Sequence, residues 1–102
     1  MDTNKLPSVE LFKNVFLKSL ARDEGRNFQV DLVEVGPNTA LPEHTHDDLE
    51  WLFILEGSIS DENGVYHKDD FLLLPKGSRH LPRGGAEGCK FLRYWCGTIT
   101  LV

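Results

Sequence analysis

Between Pro42 and Gly57 the chain reads Pro-Glu-His-Thr-His-Asp-Asp-Leu-Glu-Trp-Leu-Phe-Ile-Leu-Glu-Gly. Three groups able to ligate transition metals, His44, His46 and Glu50, fall within seven residues, and an apolar run follows at once. Side chains alternate along an extended chain, so histidines at i and i+2 project from the same face. Glu50, four residues after His46, rejoins that face once a short turn intervenes. Imidazole and carboxylate together suit a divalent transition metal. The stretch therefore predicts a metal site inside a small β-barrel.

The rest of the chain agrees with an all-β reading. Phe28, Val30 and Leu32 alternate with Gln29 and Asp31, as in a half-buried strand. Glu50–Glu56 is a strand apolar on both faces, which predicts burial between layers, and Gly57 breaks it. Asp61-Glu62-Asn63-Gly64 offers an Asn-Gly hairpin turn between Ile59-Ser60 and Val65-Tyr66. Phe71–Leu74 is a further buried strand, stopped at Pro75-Lys76-Gly77-Ser78. Pro82-Arg83-Gly84-Gly85 reads as a flexible loop. Phe91–Cys96 and Thr98–Val102, separated by Gly97, are the last strands. Only the segment before Ala21 is ambiguous, because Leu11, Phe12, Val15, Phe16 and Leu20 also repeat at helical spacing. There an extended piece from about Val15 is expected, with a short helical turn before it. Many short strands with glycine-marked turns predict a sandwich or barrel.

At 102 residues one domain is expected, with residues 1–14 as an arm or short helical turn and 15–102 as the barrel. The net charge of −5 argues against nucleic acid as a partner. No apolar stretch approaches the ~20 residues that cross a bilayer, and the first residues do not read as a signal peptide. The expected location is the cytoplasm. Cys89 and Cys96 stand at the two ends of one β-like stretch, too far apart along a continuous strand for an internal disulfide. They read as ordinary reduced side chains.

Two spaced motifs now carry a resemblance. His44-Thr45-His46, then Glu50, then Gly57 is similar to the first motif of the cupin superfamily, and Pro75-Lys76-Gly77-Ser78-Arg79-His80 to the second. Gly36 lies two residues further upstream than the usual pattern, and Asp69-Asp70 replaces the second motif's leading glycine. Leu41–His46, Leu55–Gly64, Leu74–His80 and Glu87-Gly88-Cys89 resemble the cupin domain of ChrR-type anti-sigma factors, over roughly residues 18 to 96.

The resemblance implies a cupin double-stranded β-helix, or jelly-roll barrel. It also implies a metal held by His44, His46, Glu50 and His80. Three neutral imidazoles and one carboxylate suit zinc, iron, manganese or nickel alike. An octahedral ion would keep two positions for water or a small-molecule ligand; tetrahedral zinc would close the site. Leu52, Ile54, Leu72, Leu74 and Tyr94 are candidates for lining the pocket, while Trp51, Phe53 and Trp95 read as core first. His67 lies outside both motifs, and Glu43 alternates away from the histidines. Three functions remain open: a ligand- or signal-sensing metal module, a dioxygenase of small diketone-like compounds, and a barrel with a structural metal. The short N-terminus argues against direct sigma-factor sequestration. A homodimer through the N-terminal extended segment is expected from the resemblance. Imidazoles ligate only unprotonated, so metal affinity should fall as pH drops through about 6.5, the free-histidine value.

Overall fold

Ten antiparallel strands make up the computed structural model, which describes residues 1–96 and 99–101, the side chains of His46 and residues 99–101 excepted. They are β1 (Val9–Phe12), β2 (Val15–Asp23), β3 (Phe28–Val35), β4 (His44–His46), β5 (Glu50–Asp61), β6 (Gly64–His67), β7 (Phe71–Leu74), β8 (Arg79–His80), β9 (Arg83–Cys96) and β10 (Ile99–Leu101). The larger sheet runs β1-β2-β3-β9-β5-β6, with β7 also on β5; the smaller runs β10-β4-β8. There is no α-helix among the described residues. This is the all-β barrel that the turn spacing predicts, in the jelly-roll form that the resemblance implies.

The core is formed by alternate residues of the large sheet. Val15, Val33, Val35, Leu52, Ile54, Ile59, Leu72, Cys89 and Phe91 are all buried in one cluster. Each large aliphatic or aromatic side chain removed from water contributes about 1.5–3 kcal/mol, so this face holds the barrel together. Polar Asp31 shares it, wholly buried, on the same parity of β3 as Val33 and Val35. The simple alternation reading puts Asp31 with the outward polar residues. The structure reverses that face, because Asp31 has partners inside (below).

Several boundaries differ from expectation. The helical turn expected before Val15 is strand β1, which pairs with β2 across Lys13-Asn14, where Asn14 takes φ 62°. The helical turn occurs earlier, at Thr3–Lys5, where the Asp2 carboxylate accepts from the Asn4 amide. The hairpin after β5 turns at Glu62-Asn63, one residue before the Asn-Gly pair, since Asp61 faces Gly64. Gly84 and Gly85 lie within β9 rather than in a loop. A Cβ on Gly84 would stand 2.9 Å from Val35, and one on Gly85 2.1 Å from the Ser58 hydroxyl, so glycine here marks close strand approach. The turn expected at Gly97 lies outside the described residues.

Gly57 does not end β5. It takes φ 72° within the strand, beside register shifts in the pairing with β9. A bulge bends a strand without stopping it. A Cβ on Gly57 would lie 2.0 Å from the Gly88 carbonyl oxygen, so backbone crosses backbone here. Gly57→Ala should lose at least ~1–2 kcal/mol from the left-handed conformation alone, before the overlap is counted. Urea denaturation checks this; an unchanged midpoint would contradict the bulge.

The outer face of the large sheet is also apolar. Trp51 stacks on Tyr94 with centroids 5.7 Å apart, Tyr94 on Phe28 at 5.8 Å, and Trp51 leans on Phe71 at 5.8 Å. Phe71 and Leu73 are more than half exposed. On β5 itself the inward Leu52 and Ile54 are buried, whereas the outward Trp51, Phe53 and Leu55 are half-buried.

Candidate metal centre

His44 and His80 are opposite one another in the β4–β8 pairing, although 36 residues separate them. Glu50 opens β5, buried at 3% exposure, opposite Leu74 of β7 and Trp95 of β9. The small sheet thus brings two imidazoles toward a carboxylate of the large sheet. One ligating atom from each of His44, Glu50 and His80 lies within 4.8 Å of the other two. His46 stands two positions along β4 from His44, opposite Ile99, and its side chain lies outside those described.

The hydrogen bonds settle which nitrogen of His44 faces the cluster. Nδ1 lies 2.9 Å from the Pro42 carbonyl oxygen. A carbonyl only accepts, so Nδ1 carries the proton and Nε2 keeps its lone pair, the tautomer a metal ligand requires. His44 Nε2 and His80 Nε2 lie 2.7 Å apart, their rings edge to face. Two imidazoles and a carboxylate are ligands for a divalent transition metal. The donor set therefore fits a transition metal.

Asp61 is the functional residue that the sequence reading missed. Turn composition disguised it, with an Asn-Gly pair two residues on. Its side chain is 4% exposed, and Oδ2 is 3.5 Å from His80 Nδ1. Oδ1 accepts from the Asn63 amide at 2.8 Å and from the Tyr66 hydroxyl at 3.3 Å. Burial first, and the Asp61 charge second, raise the Tyr66 phenol above its ordinary pKa, which keeps it a donor. A carboxylate behind an imidazole fixes the ring's orientation and raises its basicity.

A second buried group shares this interior. Asp31 accepts from Arg93 Nη2 at 2.7 Å, Trp95 Nε1 at 2.8 Å and Gln29 Nε2 at 2.6 Å. Arg93 also lies over the Trp95 ring, 5.2 Å from its centroid. His44, Glu50, His80, Leu52, Phe91 and Arg93 wall a cavity of about 30 Å³ between the two sheets. On the other side of His80 an open groove of about 340 Å³ is lined by Asp61, Tyr66, Phe71, Leu73, Ser78 and Arg79. Arg79 pairs with Glu43 at its rim, so Glu43 holds a cation rather than the cluster.

Of the expected pocket residues, Leu52 walls the inner cavity, Leu72 and Leu74 line the groove, and Ile54 lies deeper in the core. Tyr94 is placed elsewhere, on the outer face against Trp51, because it alternates with inward Arg93. Trp95 reaches Asp31 inside rather than packing as plain core.

Cys89 and Cys96 are free thiols in β9. Burial pushes the Cys89 thiol up from 9.0 to about 12. The unfolded chain then loses this proton first, so the contribution is intact below about pH 9 and is lost as pH climbs toward 12. Denaturation midpoints over that range should fall more steeply for the wild type than for Cys89→Ala. Parallel profiles would contradict the shift.

The antiparallel barrel, with a His-x-His-x3-Glu segment meeting a histidine after a Pro-x-Gly turn, defines a cupin. More narrowly, the chain belongs to the ChrR cupin-like domain family, whose sequence model matches residues 1–95. No curated protein sequence matches it. An RmlC-like cupin protein from Ralstonia eutropha JMP134 is similar with a TM-score of 0.89 and 19% identity, over 99% of this chain and 69% of that one. In the complex of Rhodobacter sphaeroides SigE with the anti-sigma ChrR, the TM-score is 0.82 and the identity 21%, over 92% of this chain. There the chain spans about half, 51%, of the matched one. An acetylacetone dioxygenase from Acinetobacter johnsonii gives 0.86 and 10%, over 100% of this chain and 74% of that one. At these identities the likeness is one of fold.

Proposed function

We infer that this protein binds one divalent transition metal through His44, His46, Glu50 and His80, and presents it to a small organic ligand or signal molecule. The observation that carries the reading is the convergence of His44, Glu50 and His80, with the His44 tautomer already set by Pro42. When bound, the metal supplies Lewis acidity to an oxygen-bearing ligand. The chain's own part is to orient the imidazoles, through the Pro42 carbonyl for His44 and the Asp61 carboxylate behind His80. The groove supports a ligand of modest size, since its 340 Å³ falls at the low end of the ~300–1,000 Å³ typical of small-molecule pockets.

The second reading is a metal-dependent dioxygenase of small diketones, supported by the fold shared with the acetylacetone enzyme and by the apolar wall at Phe71 and Leu73. Oxygen uptake by Fe(II)-loaded protein with acetylacetone separates the two. Saturable binding without uptake supports the sensing module, uptake lost in His80→Ala supports the enzyme, and neither leaves a structural metal. A homodimer belongs to the same reading, supported by exposed Val9, Leu11, Phe12 and Phe16 on β1 and β2. So does a cytoplasmic setting. Among the described residues no helix is long and apolar enough to cross a membrane.

A further inference from the structure

Arg93 sits on the wall of the inner cavity together with His44, Glu50 and His80. Only one of its hydrogen bonds runs to Asp31, from Nη2. Its Nε is buried and has no hydrogen-bond partner among the described residues. A buried guanidinium donor left unmatched is unfavourable, and such groups in native proteins generally meet a water, an ion or a ligand. Asp31 does not serve it: its two oxygens accept from Gln29, Trp95 and Arg93 Nη2, and none of these bonds comes from Nε.

The charges on this wall indicate what would satisfy it. The Asp31–Arg93 pair is neutral as a unit. A divalent ion with Glu50 as its one anionic ligand retains a single positive charge. Asp61 stands behind His80 on the groove side and does not wall the inner cavity. The space is about 30 Å³, where one water needs roughly 10–15 Å³ on the same kind of measure. Only a species of a few heavy atoms fits.

We propose that Arg93 is the anchor of a small-anion subsite, in which a monoanion of formate or azide size takes an open metal position and accepts a hydrogen bond from the Arg93 guanidinium. This rests on the metal reading above and adds the class of ligand that the inner side of the site admits. Larger organic molecules are confined to the groove side of His80.

The test uses Co(II)-loaded protein, whose visible absorption reports the metal's ligands, titrated with formate and with azide. The wild type should show a saturable spectral change. In Arg93→Met/Asp31→Asn, which removes both charges together, anion affinity should fall roughly 10- to 100-fold with Co(II) stoichiometry unchanged, the range expected for one charge-assisted hydrogen bond. Arg93→Lys keeps the charge but loses the planar fork, and should fall between the two. It supplies the same comparison where the double variant fails to fold. Equal affinity in wild type and variants, or a wild-type spectrum that neither anion moves, overturns the proposal and leaves Nε to an ordered water. Wild-type protein that takes up no Co(II) removes the metal reading itself, a result visible before any anion is added.

Discussion

Asp31→Ala should destabilise the fold by about 3 kcal/mol, the low end of the ~3–5 kcal/mol seen when one partner of a buried ion pair is removed. The low end applies because Arg93 keeps 17% of its side-chain exposure while Asp31 has none. The loss also leaves the Trp95 and Gln29 donors without their acceptor. Against a total stability of ~5–15 kcal/mol for a small domain, that is a large fraction. Replacing both partners, as in Arg93→Met/Asp31→Asn, should cost less than Asp31→Ala alone, since no unpaired charge remains. Urea denaturation of the three proteins decides it. A midpoint for Asp31→Ala indistinguishable from wild type would mean that water solvates the Arg93 guanidinium after all.

The second large effect concerns the metal. His80→Ala removes a ligand and also strands Asp61, whose Oδ2 lies 3.5 Å from the ring. Metal binding should drop below detection in equilibrium dialysis with Zn(II). Asp61→Asn keeps the ligand and alters only the group behind it, so its loss should be ~10- to 100-fold. The order His80→Ala, then Asp61→Asn, then wild type is the expected ranking of dissociation constants. Any metal bound to the folded form alone also raises stability by mass action, so with metal in excess the rise in apparent melting temperature should be smallest for His80→Ala, larger for Asp61→Asn and largest for wild type. An Asp61→Asn protein binding as tightly as wild type would make the Asp61 contact incidental.

How much of this was legible beforehand follows from what kind of signal each residue carries. His44 and Glu50 could be read together because their spacing is a local property of the chain, whereas His80, 36 residues from His44, joined them only through the resemblance of its Pro-x-Gly turn to the second cupin motif. Asp31 and Arg93 were not legible, being 62 residues apart and brought together only by the β3–β9 pairing. One local signal did exist: Asp31 shares parity with Val33 and Val35, whose burial argues for an inward face. Asp61 was hidden by its setting, because an acid beside Asn-Gly reads as solvated turn. Its side chain instead accepts from the Asn63 amide of the turn and stands 3.5 Å from His80 Nδ1. Glycine misled in both directions. Gly57 reads as a break and is a bulge, and Gly84-Gly85 reads as loop and is strand, because in each case missing side-chain volume admits a neighbouring backbone or side chain. Trp51 reads as core and Tyr94 as pocket lining. Alternation from Glu50 and Arg93 turns both to the outer face, where they stack on each other.

Metal content per chain, measured on protein purified without chelator and reloaded with Zn(II) or Co(II), tests the account most directly. Wild-type protein should hold one ion per chain, and the variant with alanine at His44, His46, Glu50 and His80 should hold none while keeping a β-rich circular dichroism spectrum. Equal metal content in the two proteins would contradict the claim that these four side chains form the site.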